Sequence, residues 1–149
     1  MLFEKLDRIG IAVLNIEEAM ADYAEMMDGA YYGPFEDDEV GIDVALPRRL
    51  GLEFVSPRRP DDKIGITEIL KTKGECVTAV CWKVSDIEAA EKHLVNKGLV
   101  PIMKLSRCAM KEVVFAPCKK THGLTVVINE YPHTDGLGIE NCRHFGHPI

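Results

Sequence analysis

A short pattern occurs twice in this chain. Val13 to Ala19 reads VLNIEEA and Val84 to Ala90 reads VSDIEAA, an offset of 71 residues (84 minus 13). Each copy is preceded by an apolar run and followed by an amphipathic one. In both, four to eight apolar residues end at an Asn or Asp and give way to apolar spacing of three and four, the pattern of strand, helix cap and helix. A β–α unit of this kind cannot bury both of its faces alone. Two copies in one short chain therefore imply two similar modules packed about a pseudo-twofold axis.

The elements follow from the same reasoning. Lys5 to Val13 reads as the first strand, with Asn15 as helix cap and Glu17 and Glu18 in the first turn. Ile16, Ala19, Met20, Tyr23 and Met27 share one helical face, and Asp28-Gly29 supplies a stop. Strands are expected over Tyr31 to Glu36, Glu39 to Leu46 and Leu50 to Val55, with turns at Glu36-Asp37-Asp38 and Pro47-Arg48-Arg49. Module one is thus β-α-β-β-β over residues 1–57. Residues 58–74 form the inter-module connection, in which Ile64 to Leu70 could make one or two helical turns. Residues 75–131 repeat the order: a strand at Val77 to Val84, a helix capped by Asp86 and ending near Gly98, then strands at Val100 to Leu105, Glu112 to Ala116 and Leu124 to Asn129. Residues 132–149 hold three glycines and two prolines without periodicity and are expected to be a tail.

Composition narrows the partners. A chain of 149 residues with 46% apolar content can bury a sizeable core. The net charge of -6, with no basic run, disfavours nucleic acid and anionic membrane. The N-terminal MLFEKLDRIG alternates charge instead of forming a signal-peptide core, and no apolar stretch approaches the ~20 residues that span a bilayer, so a cytoplasmic location is expected. Five cysteines, an odd number without a CxxC pair, read as reduced thiols.

The segments DRIGIAVLNIEEA, LGLEFVSP, AVCWKVSDIEAA and KEVVFAPCKKTHGLTVVI together resemble the vicinal oxygen chelate superfamily of glyoxalases, bleomycin-resistance proteins and extradiol dioxygenases, closest in look to its methylmalonyl-CoA epimerase-like members. The resemblance covers about residues 3 to 131. It implies an α+β fold in which two tandem βαβββ modules form a curved, open barrel-like sheet around a ligand cavity, and a homodimer that covers a sheet edge or helix face. It also implies a divalent metal held by His on the first strand and Glu on the last strand of each module. Here the first His position is Arg8, and the 71-residue offset carries it to Ala79. The closing Glu of module one is matched by Glu53, and its counterpart falls at Thr125, Val127 or Ile128. One carboxylate and a guanidinium that does not deprotonate make a poor divalent site, so no metal and no other cofactor is expected.

Arg8 and Glu53 remain as the chemistry-bearing pair, on a concave surface where an unpaired charge is costly. Either they form a structural ion pair filling the vacated site, or Arg8 holds an anionic group while Glu53 moves a proton. Further ligand-binding candidates are Cys81, on the face of Ala79, and His122 and Lys111, with Lys119 and Lys120 able to meet the phosphates of a CoA-like ligand. Ordinary readings stand beside these: an inert buried thiol and a solvated turn. Cys142, His144 and His147, with His133, offer metal ligands at a spacing that matches no closed site. Asp37, Asp38 and Glu39 read as a solvated hairpin. Two functions stay open: a metal-independent isomerase- or lyase-like enzyme acting on a small anionic or oxygen-rich ligand (a carboxylate or an acyl-thioester), with Arg8 and Glu53 as catalytic residues, or a non-catalytic protein that sequesters a small molecule in the same cavity.

Overall fold

The computed structural model describes residues 1–48 and 51–149. Module one runs β1 (Phe3–Ala12), α1 (Ile16–Met27), β2 (Tyr31–Asp37), β3 (Ile42–Pro47) and β4 (Leu52–Pro57). After α2 (Ile66–Lys73), module two runs β5 (Cys76–Val84), α3 (Ile87–Asn96), β6 (Pro101–Arg107), β7 (Met110–Phe115) and β8 (Thr125–Glu130), and α4 (Gly136–Phe145) follows. The two repeated motifs do the same job in each module. Asn15 Oδ1 accepts the Glu18 N–H at 3.0 Å, and Asp86 Oδ1 accepts the Ala89 N–H at 3.0 Å, satisfying donors that a helix start leaves open. Helix α1 stops where Asp28 enters the left-handed region at φ 50°, a conformation that Asp tolerates better than most residues.

The eight strands form one curled sheet in the order β2-β3-β4-β1-β5-β8-β7-β6. Strands β1 and β5 lie antiparallel at its centre, with β4 parallel to β1 and β8 parallel to β5, which is the pseudo-twofold arrangement the repeat implies. Strand parity then assigns the faces. Phe54 packs under α1 with Val13, Ile16 and Ala45, and Val113 and Phe115 pack under α3 with Ile128. Their sequence neighbours Glu53, Val55, Glu112 and Val114 point to the other, concave face, which α2 and α4 cover.

The helical turns expected in the connection are α2, started by Asp62, whose carboxylate accepts the backbone N–H of Ile66 at 2.8 Å and of Thr67 at 3.0 Å. Two other segments depart from expectation. The expected tail is largely the helix α4, with Leu137 and Cys142 in a core shared with Tyr32, Phe35, Leu46, Met110 and Tyr131. Its glycines, poor helix formers, hid it in the sequence, and here they permit close packing: a Cβ on Gly138 would stand 2.3 Å from the Tyr32 ring, and one on Gly136 2.9 Å from Tyr131. The third strand starts at Ile42 instead of Glu39, because Asp37 Oδ1 accepts the Val40 N–H at 3.1 Å and Gly41 turns the chain at φ 87°. The expected positions Arg49 and Leu50 lie outside the described residues. Among those described, no helix is long and apolar enough to cross a membrane.

Candidate functional site

The hollow of the sheet lies over its two central strands, where Gly10 faces Ala79 across the β1–β5 ladder. A Cβ on Gly10 would come within 3.1 Å of that of Ala79, so the floor carries the least side-chain bulk available. A cavity of about 80 Å³ remains above it, with Arg8, Glu53, Ala79, Thr125 and Val127 among its lining residues. Strand alternation puts them there: Arg8 and Gly10 on β1, Glu53 and Val55 on β4, Glu112 and Val114 on β7, Thr125 and Val127 on β8.

Arg8 is 4% exposed and Glu53 9%, and the Arg8 Nε–H donates to Glu53 Oε2. Three further bonds hold the guanidinium: Nη1 donates to Asn129 Oδ1 at 2.8 Å and to Asp7 Oδ2 at 3.1 Å, and Nη2 to Glu112 Oε1 at 3.3 Å. Asn129 Nδ2 donates in turn to Glu112 Oε1 at 2.8 Å, and the Tyr131 hydroxyl to Asp7 Oδ1. Three carboxylates thus surround one guanidinium. Burial opposes the charge on Arg8, but Glu53, Glu112 and Asp7 more than restore it and hold its pKa well above the ordinary value. Glu53 goes the other way from a salt-bridged acid. Burial raises its pKa more than Arg8 lowers it, and the nearby Glu112 adds to the rise. The result is a shielded carboxyl that takes up a proton more readily than an ordinary glutamate.

The register also places the four positions at which the resemblance implies metal ligands. Gly10 pairs with Glu53 in β4; adding 71 to Gly10 gives Cys81, which pairs with Val127 in β8, so Val127 is the counterpart of Glu53. The set is then Arg8, Ala79, Glu53 and Val127, with the guanidinium itself occupying the space beside the carboxylate. This donor set does not fit a divalent cation.

The remaining expected residues fall in different places. Cys81 is fully buried, pairs with Arg8 across the ladder and packs with Val114 and Val127, and burial pushes its thiol pKa far up. Lys111 alternates to the outside and faces Glu88 at 3.6 Å. His122 sits exposed in the turn before β8 at φ 55°, and Lys120 donates to the Lys97 carbonyl at the end of α3. Neither Lys111 nor His122 is brought to the cavity. Cys142 is buried inside α4, His147 packs edge-on to Phe35 at 4.8 Å, and among the described residues no three His, Cys, Asp or Glu side chains gather as a metal site.

Asp37 corrects the reading of its hairpin as solvated. It is 6% exposed and accepts from Arg107 Nη2 at 2.9 Å, while Arg107 Nη1 donates to Glu39 Oε2 at 2.6 Å and lies 3.1 Å from His144 Nε2. Asp37 and Arg107 both line the cavity. Asn129 and Glu112 were equally unforeseen. Each is two residues from a cavity-facing neighbour, so period-2 alternation along β7 and β8 is the signal that could have found them.

Comparison with known proteins agrees with this fold. The crystal structure of methylmalonyl-CoA epimerase from Mycobacterium tuberculosis superposes with a TM-score of 0.76 at 22% identity, covering 89% of this chain and 91% of that one. Methylmalonyl-CoA epimerase in complex with methylmalonyl-CoA and NH4+ gives 0.75 at 19%, covering 87% and 95%. A variant of the Streptomyces coelicolor epimerase in complex with 2-nitronate-propionyl-CoA gives 0.73 at 19%, covering 86% and 97%. At these identities the likeness is one of fold. No curated protein sequence matches the chain. Residues 7–112 match a family description, and on that match the chain belongs to the Glyoxalase/Bleomycin resistance protein/Dioxygenase superfamily.

Proposed function

We propose that this protein is a metal-independent enzyme of isomerase or lyase type that moves a proton beside a carbonyl in a small oxygen-rich molecule. Glu53 is the base. One of its oxygens is held by Arg8, which leaves the other to meet a substrate C–H. Arg8 has five N–H groups, four of them committed to protein acceptors, so its main task is to orient Glu53, with one N–H left to polarise a substrate oxygen. The observation that carries the proposal is the carboxyl of Glu53, buried in a cavity wall with its pKa raised by that burial. A general base works best when its pKa lies close to the working pH, and burial moves Glu53 in that direction.

A second reading has support in the rest of the wall. Ile42, Val55, Ile66, Met103 and Val114 make it largely apolar, which suits a protein that sequesters a small molecule without acting on it. Glu53→Gln separates the two, because the amide keeps the shape and cannot accept the proton. Turnover should fall by at least a hundredfold with affinity retained; equal turnover in the variant would remove Glu53 as base and leave sequestration. A cytoplasmic homodimer is also part of the proposal. It is supported by five cysteines that are all free, by the edge positions of β2 and β6, and by the exposed Leu14, Met26 and Met27.

A further inference from the structure

We infer that the cavity takes a compact, uncharged carbonyl compound bearing hydroxyl groups, and that helix α4 together with a surplus of wall carboxylates excludes acid anions and acyl-thioesters. This rests on the proton-transfer reading and narrows its substrate.

Size is set by α4. Leu137 and Asn141 of this helix line the cavity opposite the sheet, and the helix is firmly seated. Glu140, 2% exposed, accepts the Ala109 N–H at 2.9 Å, and Phe145 stacks on Phe35 with ring centroids 5.2 Å apart. The 80 Å³ of the cavity holds roughly five to eight water-sized groups at about 10–15 Å³ each. A small hydroxy-ketone fits that space, and the long arm of a CoA thioester far exceeds it.

Charge is set by the wall. Its ionisable groups are Arg8 and Arg107 against Asp37, Glu53 and Glu112. Both guanidiniums are engaged, with the largely buried Asp7 also bonded to Arg8 and the solvent-exposed Glu39 to Arg107, so three wall carboxylates face two arginines that have no charge to spare. An anion entering this space adds to the surplus where the dielectric is low. A neutral hydroxy-carbonyl adds no charge, and its hydroxyls supply donors to carboxylate oxygens that have spare lone pairs. The chemistry balances without a co-reactant. The C–H bond beside the carbonyl breaks, its proton forms an O–H bond on Glu53, and the electron pair passes to the carbonyl oxygen as an enediolate. Negative charge leaves Glu53 as it appears on the substrate, so the total in the cavity is unchanged. Return of the proton to the neighbouring carbon, with the enediol proton relocating between the two oxygens, completes an isomerisation.

The test uses the full ¹⁵N-labelled chain with three probes: dihydroxyacetone, the similarly sized anion pyruvate, and propionyl-CoA. Amide shifts of Gly10 and Ala79 report binding, and entry of solvent deuterium into the probe reports proton transfer. The expected result is dihydroxyacetone binding at least tenfold tighter than either other probe. Glu112→Gln should then narrow the gap to pyruvate by about tenfold, and Leu137→Ala should admit the longer ketose erythrulose. Pyruvate or propionyl-CoA binding as tightly as dihydroxyacetone would overturn the inference, and so would the absence of binding by all three. The wild-type comparison needs no variant to fold. If dihydroxyacetone binds selectively and gains no deuterium, the assignment of size and charge stands and the proton-transfer reading falls. If only pyruvate or the thioester exchanges, proton transfer stands and the inference falls.

Discussion

Glu53 is at once the ion-pair partner of Arg8 and a carboxyl whose pKa is raised by burial. Pairing with Arg8 favours its charged form, and burial with Glu112 and Asp7 nearby favours the neutral one, with burial the larger influence. The two residues answer differently to substitution. Arg8→Met strands three carboxylates around a vacated guanidinium and should cost about 3–5 kcal/mol by denaturant unfolding. The effect of Glu53→Gln depends on pH. Because the folded pKa of Glu53 lies above its unfolded value, its contribution to stability is fully present below the ordinary glutamate range and is lost as pH rises through the folded pKa. The stability of wild type relative to Glu53→Gln should therefore decline from acid toward neutral pH in melts run across that window, whereas a difference independent of pH would contradict the shift. The sequence singled out this pair because Arg8 and Glu53 stand where ligands would. Glu112, Asn129 and Arg107 were not singled out and Asp37 was read as solvated, since a polar residue on a strand gains meaning only once register shows which face it is on.

Among the elements, the β–α starts were the most legible, because each joins two strong local signals: an apolar run and a capping Asn or Asp. Helix α4 was the least legible. Gly136 and Gly138 lower its intrinsic helix preference, and it forms because Leu137, Cys142 and Phe145 bury against Tyr32, Phe35 and Met110, which is tertiary packing overriding propensity. Gly138→Ala tests this. An exposed helix would gain from the change, but here the new methyl group meets the Tyr32 ring, itself held beneath the Arg48 guanidinium at 3.9 Å. The substitution should cost about 1–3 kcal/mol, read as a fall in melting temperature; an unchanged or higher melting temperature would show α4 to be loosely docked.

At the scale of the whole molecule, two modules related by a pseudo-twofold axis share one cavity, and they do not contribute equally to it. Module one brings Arg8 and Glu53, and module two brings Ala79 and Val127 at the matching positions, so the symmetry of the fold is not carried into its chemistry. The fold was legible because the repeat constrains it strongly. The polar lining was only half legible, because it is assembled from side chains as far apart as Arg8 and Glu112. Elemental analysis of purified protein should find no stoichiometric zinc, nickel, cobalt, manganese or iron. One equivalent lost on Glu53→Ala would mean that Arg8 can swing aside to admit a metal.

The most direct test of the account is to follow the Glu53 carboxyl carbon by ¹³C NMR through a pH titration, assigning its resonance by its absence in Glu53→Gln. The expected midpoint lies above the ordinary glutamate value of about 4.3, as a buried base requires. A midpoint at or below that value would show Glu53 locked as the charged partner of Arg8 and would contradict its role in proton transfer.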